Sequence, residues 1–432
     1  MTGPAPPADA SPLLRRLDEL ADCTAEHGIV TRLYLTPEHR AAALMVARWM
    51  RLAGMETTLD AAGNVVGRYE AAKPGAPSLL IGSHIDTVRN AGKYDGPFGV
   101  VAAIQAVAEL YARGKRLDFA IEVLAFGDEE GVRFPTTLIG SRAIAGTLDP
   151  AVLDSVDRTG VSVRAALAMF GGRPDAILSL GRRPKDVLAY IELHIEQGPV
   201  LEEQDLPVGI VTAINGASRL TVELGGMAGH AGTVPMRMRR DAGAAMAEMV
   251  LAVERLALTH EDIVATVGRI EIMPGAVNVI PGGARFSIDL RSSDDTLRAS
   301  ALSRLGDDFA ALATRRGVTL DLRTDYVVKA ARCAPAMIAA LEKSVARCGV
   351  RPYLLPSGAG HDGLAIIDLC PIAMLFLRCE GGISHNPAES IRADDADLAV
   401  RVLLDFLLTF NPVTLGPGKL APTAPLPAKE KN

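Results

Sequence analysis

The chain has 432 residues, 49% of them apolar and 22% charged, with a formal net charge of −6. That length exceeds one comfortable hydrophobic core, so two domains are expected. The acidic balance argues against a nucleic-acid-binding surface and lends a membrane surface no support, and no apolar run approaches the roughly 20 residues of a membrane span.

Residues 1–10 are rich in Pro and Ala and are expected to be disordered; they lack the basic and apolar regions of a signal peptide. Ser11 and Pro12 supply an N-cap and a first helical position for a helix expected to reach about residue 27. Thr36 and Pro37 repeat the device for a helix to about Leu52. METTLDAAGNVVGRYE then reads as two strands around a turn at 62–64. SLLIGSHID (78–86) and FAIEVLAFGDEE (119–130) are apolar runs ending in polar residues. Between them Val100, Ile104, Val107 and Leu110 recur at helical spacing. Strand, helix, strand, with the polar residues after each strand, is the pattern of an α/β sheet, which binds ligands at the carboxyl ends of its strands.

From about 213 to 328 the texture changes. RLTVELGG (219–226), VATVGRIEIM (264–273) and GARFSIDLRSS (283–293) alternate apolar and polar residues as half-buried antiparallel strands do. With helical stretches at about 238–257 and 294–315, this segment reads as an inserted α+β domain. The α/β texture resumes with a helix at 334–347, a helix start at 361, a strand at 371–379 and a final helix at 392–410. Residues 11–212 and 329–412 thus form one discontinuous domain around the insert at 213–328, and 413–432 form a flexible tail. The odd set Cys23, Cys333, Cys348, Cys370 and Cys379 has no CxxC pair, which fits reduced thiols and a cytoplasmic location.

Five side chains suited to divalent metals sit in short motifs rich in Gly and small residues: His84 in GSHIDT, Asp95 in KYDG, Glu130 in GDEEG, His194 in ELHIEQG and His385 in ISHNPAE. Five ligands are one too many for a tetrahedral ion but suffice for two ions if one carboxylate bridges. Such a pair, about 3.5–4 Å apart, is a hydrolase device. His84-x-Asp86 sets a carboxylate on the side of the imidazole, where it can orient the ring. In the adjacent Glu129 and Glu130, one carboxylate can bind metal while the other serves as general base. His230 lies in AGHAGTVPM, where an imidazole can stabilise a developing oxyanion. Arg291 and Asn278 end or flank strands of the insert, and Arg is the side chain best shaped to clamp a carboxylate.

Together GSHIDTVRNAGKYDG, FGDEEGVRF, LHIEQGPVLE, GHAGTVPM, GAVNVIPG, DLRSSD, SGAGHDG and GGISHNPAE resemble the hydantoinase/carbamoylase branch of the M20 metallopeptidase family, over residues 10–412. The resemblance implies an aminopeptidase-like α/β catalytic domain that holds two divalent ions per subunit, zinc first and Mn, Co or Ni as alternatives. Its ligands are His84, Asp95 as the bridge, Glu130, His194 and His385. Glu129 is the implied base, and the Asp95–Gly96 bond is implied to be cis. The inserted domain is implied to be a dimerisation lid, making a homodimer in which His230 completes the partner subunit's site. Asn278 and Arg291 resemble carboxylate binders, with Gln197, Arg219 and His361 as further pocket residues. The expected substrate is a small ureido acid. VRNAGKYDG places allantoate first, ahead of an N-carbamoyl-L-amino acid or β-ureidopropionate; a peptidase or an inactive binding homologue are remoter readings. Gly363 and Arg378-Cys379-Glu380 depart from the family pattern, and a charged Glu380 near a ligand strand could alter the pocket.

Overall fold

The computed structural model describes residues 11–415. The expected disorder of 1–10, and the tail from 416 on, lie outside the described residues; Pro412–Leu415 form a short 3-10 turn. The chain divides into two compact units. The first comprises the chain up to Thr212, Cys333–Leu355 and the chain from His361 on; the second comprises Ala213–Arg332 and Pro356–Gly360.

The first unit is built on a mixed sheet in the order Glu56–Leu59, Val65–Tyr69, Ala120–Phe126, Ser78–His84, Val187–Ile195, Ile372–Leu377, Val208–Ile214. Four of these neighbours, Ala120–Phe126 through Ile372–Leu377, run parallel. Their residues are almost all buried, as in a sheet covered on both faces. The helix Pro97–Ala112 packs on Ser78–His84 and Val187–Ile195. It is apolar all round rather than on one stripe: Val101, Ala102, Ala103 and Ala106 are buried along with the four residues at core spacing.

Two local expectations change. The first helix stops at Ala21, short of residue 27, because the buried Arg32 guanidinium takes the carbonyls of Leu20 and Cys23 at 2.8 and 3.0 Å. Thr24 then bonds to Ile29 and Thr31 instead of continuing the helix. The cis bond expected at Asp95–Gly96 is not formed; among the described residues only Met273–Pro274 is cis. Gly96 makes the turn itself with φ 81° and ψ −61°, avoiding the roughly 3 kcal/mol that a cis bond costs before a residue other than proline.

The second unit is a five-stranded antiparallel sheet in the order Ile270–Met273, Gly283–Ser292, Gly216–Gly225, Thr319–Val328, with Ile263–Thr266 also on Gly283–Ser292. The single strand expected at 264–273 is therefore two pieces on one partner. Ser287 bridges the break, bonding to the Arg269 N–H and carbonyl. Helices Ala242–Leu258 and Asp295–Arg316 open on the side-chain caps of Asp241 and Asp294. They cover one sheet face with Met249, Val253, Leu305 and Phe309.

Candidate metal centre

Parallel strands deliver their last residues to one edge, and the expected ligands lie there. His84 ends one strand, His194 is the penultimate residue of another, and Glu129 and Glu130 follow Ala120–Phe126. Asp95 precedes the helix Pro97–Ala112, and His385 sits in the loop after Ile372–Leu377 at φ 55°.

Asp95 organises the cluster. Its Oδ1 faces His194 Nε2 at 3.2 Å and His84 Nε2 at 3.8 Å. Its Oδ2 faces His385 Nε2 at 2.9 Å, and His385 Nε2 stands 3.6 Å from Glu130 Oε2. Two ligand groups result, His84–Asp95–His194 and Asp95–Glu130–His385, which share Asp95. Gln197 Nε2 donates to Asp95 Oδ2 at 3.0 Å, as does Ser384 Oγ at 3.2 Å. Behind them, buried Glu389 accepts the backbone N–H groups of Tyr94 and Asp95. Glu389 and Ser384 were missed from sequence although both stand in the ISHNPAE stretch.

The imidazoles are oriented by peptide carbonyls. His84 Nδ1 donates to the Asp86 carbonyl and His194 Nδ1 to the Ile195 carbonyl, both at 2.9 Å. A carbonyl only accepts, so each Nδ1 carries a proton, and Nε2 is the ring atom that faces Asp95. The orienting role expected of the Asp86 carboxylate is thus corrected: it stands 3.9 Å from His84 Nδ1 and accepts the Glu129 N–H at 3.4 Å. The chain leaves the strand at His84, so strand alternation no longer aims Asp86 at the ring. Glu129 Oε2 lies 3.9 Å from His84 Nε2, beside both groups and a member of neither.

The donor set fits divalent cations. Among the described residues no lysine or arginine hydrogen-bonds or ion-pairs with Asp95, Glu129 or Glu130. Burial, and then neighbouring Glu130, Asp362, Asp86 and Asp95, push the Glu129 carboxyl well above its usual range. Burial followed by Asp95 and Asp86 does the same to Glu130. Burial alone would raise Asp95, but hydrogen bonds from His194 and His385 hold it well below the carboxylate range. Imidazole and carboxylate donors with this surplus of negative charge suit zinc and its neighbours.

The other expected site residues fall elsewhere. His361 is fully buried in the first unit, edge-on to His194 at 4.5 Å between ring centroids, and so supports a ligand rather than lining an open pocket. In the second unit His230 pairs with Val279, next to exposed Asn278, in a two-stranded ribbon. Arg219 and Arg291 converge on one carboxylate, that of Asp289. The departures from the family pattern are also accounted for. Gly363 N–H donates to Glu192 at 3.1 Å, Arg378 is buried against Asp395 and Asp205, and Glu380 pairs with Arg392.

Two ligand groups joined by one carboxylate, at the carboxyl edge of a parallel sheet, define a metal-dependent hydrolase. Residues 80–409 match the profile of peptidase family M20/M25/M40, and the chain belongs to that family. It is similar to an N-carbamoyl-L-amino acid amidohydrolase of Geobacillus stearothermophilus, 41% identical over 90% of this chain and 96% of the relative. It is likewise similar to allantoate deiminase 1 of Glycine max, 39% identical over 91% of this chain and 88% of the relative. A solved hydantoinase/carbamoylase family amidase from Burkholderia multivorans superposes with a TM-score of 0.87 at 33% identity, covering 92% of this chain and 96% of its own. The protein is a hydrolase, and its relatives act as amidohydrolases on carbamoyl and ureido compounds. No helix among the described residues is long and apolar enough to cross a membrane.

Proposed function

We propose that the protein hydrolyses the ureido C–N bond of a small carboxylic acid, with allantoate as substrate and ammonia and carbon dioxide released. The observation that carries this reading is Asp95, whose two oxygens face two ligand groups while Glu129 stands beside both. His84, Asp95 and His194 would hold one divalent ion, and Asp95, Glu130 and His385 the other. Zinc is expected; Mn, Co or Ni suit the same donors. When bound, the ions polarise a carbonyl and acidify water.

The protein's own groups do the rest. Glu129 takes the proton from the attacking water and returns it to the departing nitrogen. Gln197 and Ser384 hold the shared carboxylate in place. Arg291 and Asn278 bind the substrate carboxylate, with Arg219 as a further pocket residue, and His230 stabilises charge on the ureido oxygen in the partner subunit's site. Residues 213–328 are proposed to form a homodimer, for which light scattering should give the mass of two chains.

Allantoate is favoured by the likeness of the VRNAGKYDG loop to that of the allantoate enzymes; the loop adjoins the ligands, with Val88 N–H donating to Glu130 Oε1 at 3.2 Å. An N-carbamoyl-L-amino acid is the second reading, favoured by the 41% identity to the Geobacillus enzyme. Ammonia release by the metal-loaded protein, from allantoate and from a panel of N-carbamoyl-L-amino acids, decides between them. A higher kcat/KM for allantoate is expected. The reverse ranking replaces the substrate and keeps the chemistry, while silence on every ureido acid with metal bound overturns the class.

A further inference from the structure

Side chains alternate along a strand, so residues of one parity share a sheet face. In the second unit Leu220, Val222, Ala284, Phe286, Ile288 and Leu290 carry the core. Arg219, Asp289 and Arg291 therefore lie together on the opposite face. The antiparallel register sets Asp289 directly across from Arg219, and Arg291 follows two residues along. The result is one carboxylate between two guanidiniums. Asp289 Oδ1 accepts Arg291 Nε at 2.8 Å, and Oδ2 accepts Arg291 Nη2 at 3.0 Å and Arg219 Nε at 3.1 Å. Arg291 Nη1 donates to the Gly358 carbonyl at 2.7 Å.

Arg291 thus spends three of the five N–H donors of a guanidinium and keeps one on each terminal nitrogen. A cavity of about 390 Å³, lined by Val264, Thr266, Asp289, Arg291 and Gly358, opens at this fork. We propose that Asp289 is a positioning residue that holds Arg291 as a fixed fork for the substrate's carboxylate. This rests on the reading of Arg291 as the carboxylate binder. A long, flexible side chain held in its binding geometry loses less freedom when the ligand arrives, and that gain appears as affinity. Asp289 also sets the charge of the receptor: with two guanidiniums it leaves one net positive charge, matched to one carboxylate. The role is in ground-state binding, so its loss shows in KM and spares kcat.

The test is steady-state kinetics of D289N, D289E and R291A on the best ureido-acid substrate, with metal content and melting followed in parallel. D289N is expected to raise KM about ten-fold or more, with kcat within about two-fold and metal content unchanged. D289E, which keeps the charge on a longer arm, is expected to fall between D289N and the parent. If R291A raises KM while D289N does not, the positioning role is overturned and the carboxylate assignment of Arg291 stands. If R291A also leaves KM unchanged, the assignment falls and the inference with it. Should D289N fail to fold, D289E decides alone, and a parental KM there overturns the proposal.

Discussion

Replacing Gly96 by alanine tests whether the ligand cluster is wedged together as the geometry has it. Gly96 follows the shared Asp95, and its φ of 81° is open to glycine but strained for alanine. A Cβ there would lie 2.6 Å from His84 Nε2 and closer still to Nδ1 and Cε1. The ring has no free route away, because it is buried and its Nδ1 is bonded to the Asp86 carbonyl. The backbone strain costs about 1–3 kcal/mol, and overpacking a filled core about 1–3 kcal/mol more. Together these lower the melting temperature by roughly 2–10 °C for a folding unit of this size. Gly75 is a matched control: its φ is 77° but nothing stands within 4 Å of its Cβ position. G75A should therefore show the strain alone. Melting curves of both variants, with metal content by mass spectrometry, separate the two costs. G96A is expected to melt well below G75A and to bind metal about 10–100-fold more weakly, as other disturbances around a ligand do. If G96A melts with G75A and keeps parental metal content, the packing of Gly96 against His84 is wrong.

E129Q should keep its metal and lose turnover by about 10²–10⁴-fold, the range of a general base; substantial activity in that variant would remove Glu129 from the role. Chelation should abolish activity and lower the melting temperature, since Asp95, Glu129 and Glu130 then repel one another, and re-addition of Zn, Mn, Co or Ni should rank the metals; full activity at zero metal would refute the centre. His39 gives the pH dependence. It is fully buried, stacked on Phe170 and accepting from the Leu35 N–H, and burial followed by Arg32 and Arg133 pushes it down from 6.5 to about 3. The unfolded chain takes up this proton below 6.5 and the native state does not until about 3. Stability therefore falls as pH drops through that window, by up to about 1.4 kcal/mol per unit, and is unaffected above it. In denaturant titrations at about pH 7 and about pH 5, H39Q should lose this share of the acid dependence, and an unchanged slope would refute the assignment.

The sequence made most legible those features set by local chemistry. Thr36 and Pro37 open a helix at the residue expected, and Asp241 and Asp294 cap theirs. The five ligand candidates were visible because rare imidazoles stood in small-residue motifs, and the fold brings all five together. Long-range partners were not visible. The first helix ends where Arg32, eleven residues beyond Ala21, takes its carbonyls. Thr319–Val328 went unread because it is an edge strand with exposed charges and buries too little to leave an apolar signature. Asp289 lay unnoticed in DLRSSD, two residues before Arg291, and only the register with Arg219 gives it a partner. Glu389 acts through the backbone N–H groups of Tyr94 and Asp95, almost three hundred residues away, for which no sequence motif exists.

The surplus of carboxylates explains why peptide carbonyls orient His84 and His194. A carboxylate hydrogen-bonded to each Nδ1 would add charge to a site already crowded by Asp95, Glu129 and Glu130, whereas a carbonyl fixes the tautomer without adding any. Asp86 is thereby free to brace the Glu129 backbone. Its remaining effect is electrostatic: burial is the largest influence raising Glu129, and Asp86 joins Glu130, Asp362 and Asp95 in pushing the same way. The acidic crowd thus makes cations at the shared carboxylate the natural counter-charge, in keeping with imidazole and carboxylate donors grouped around Asp95.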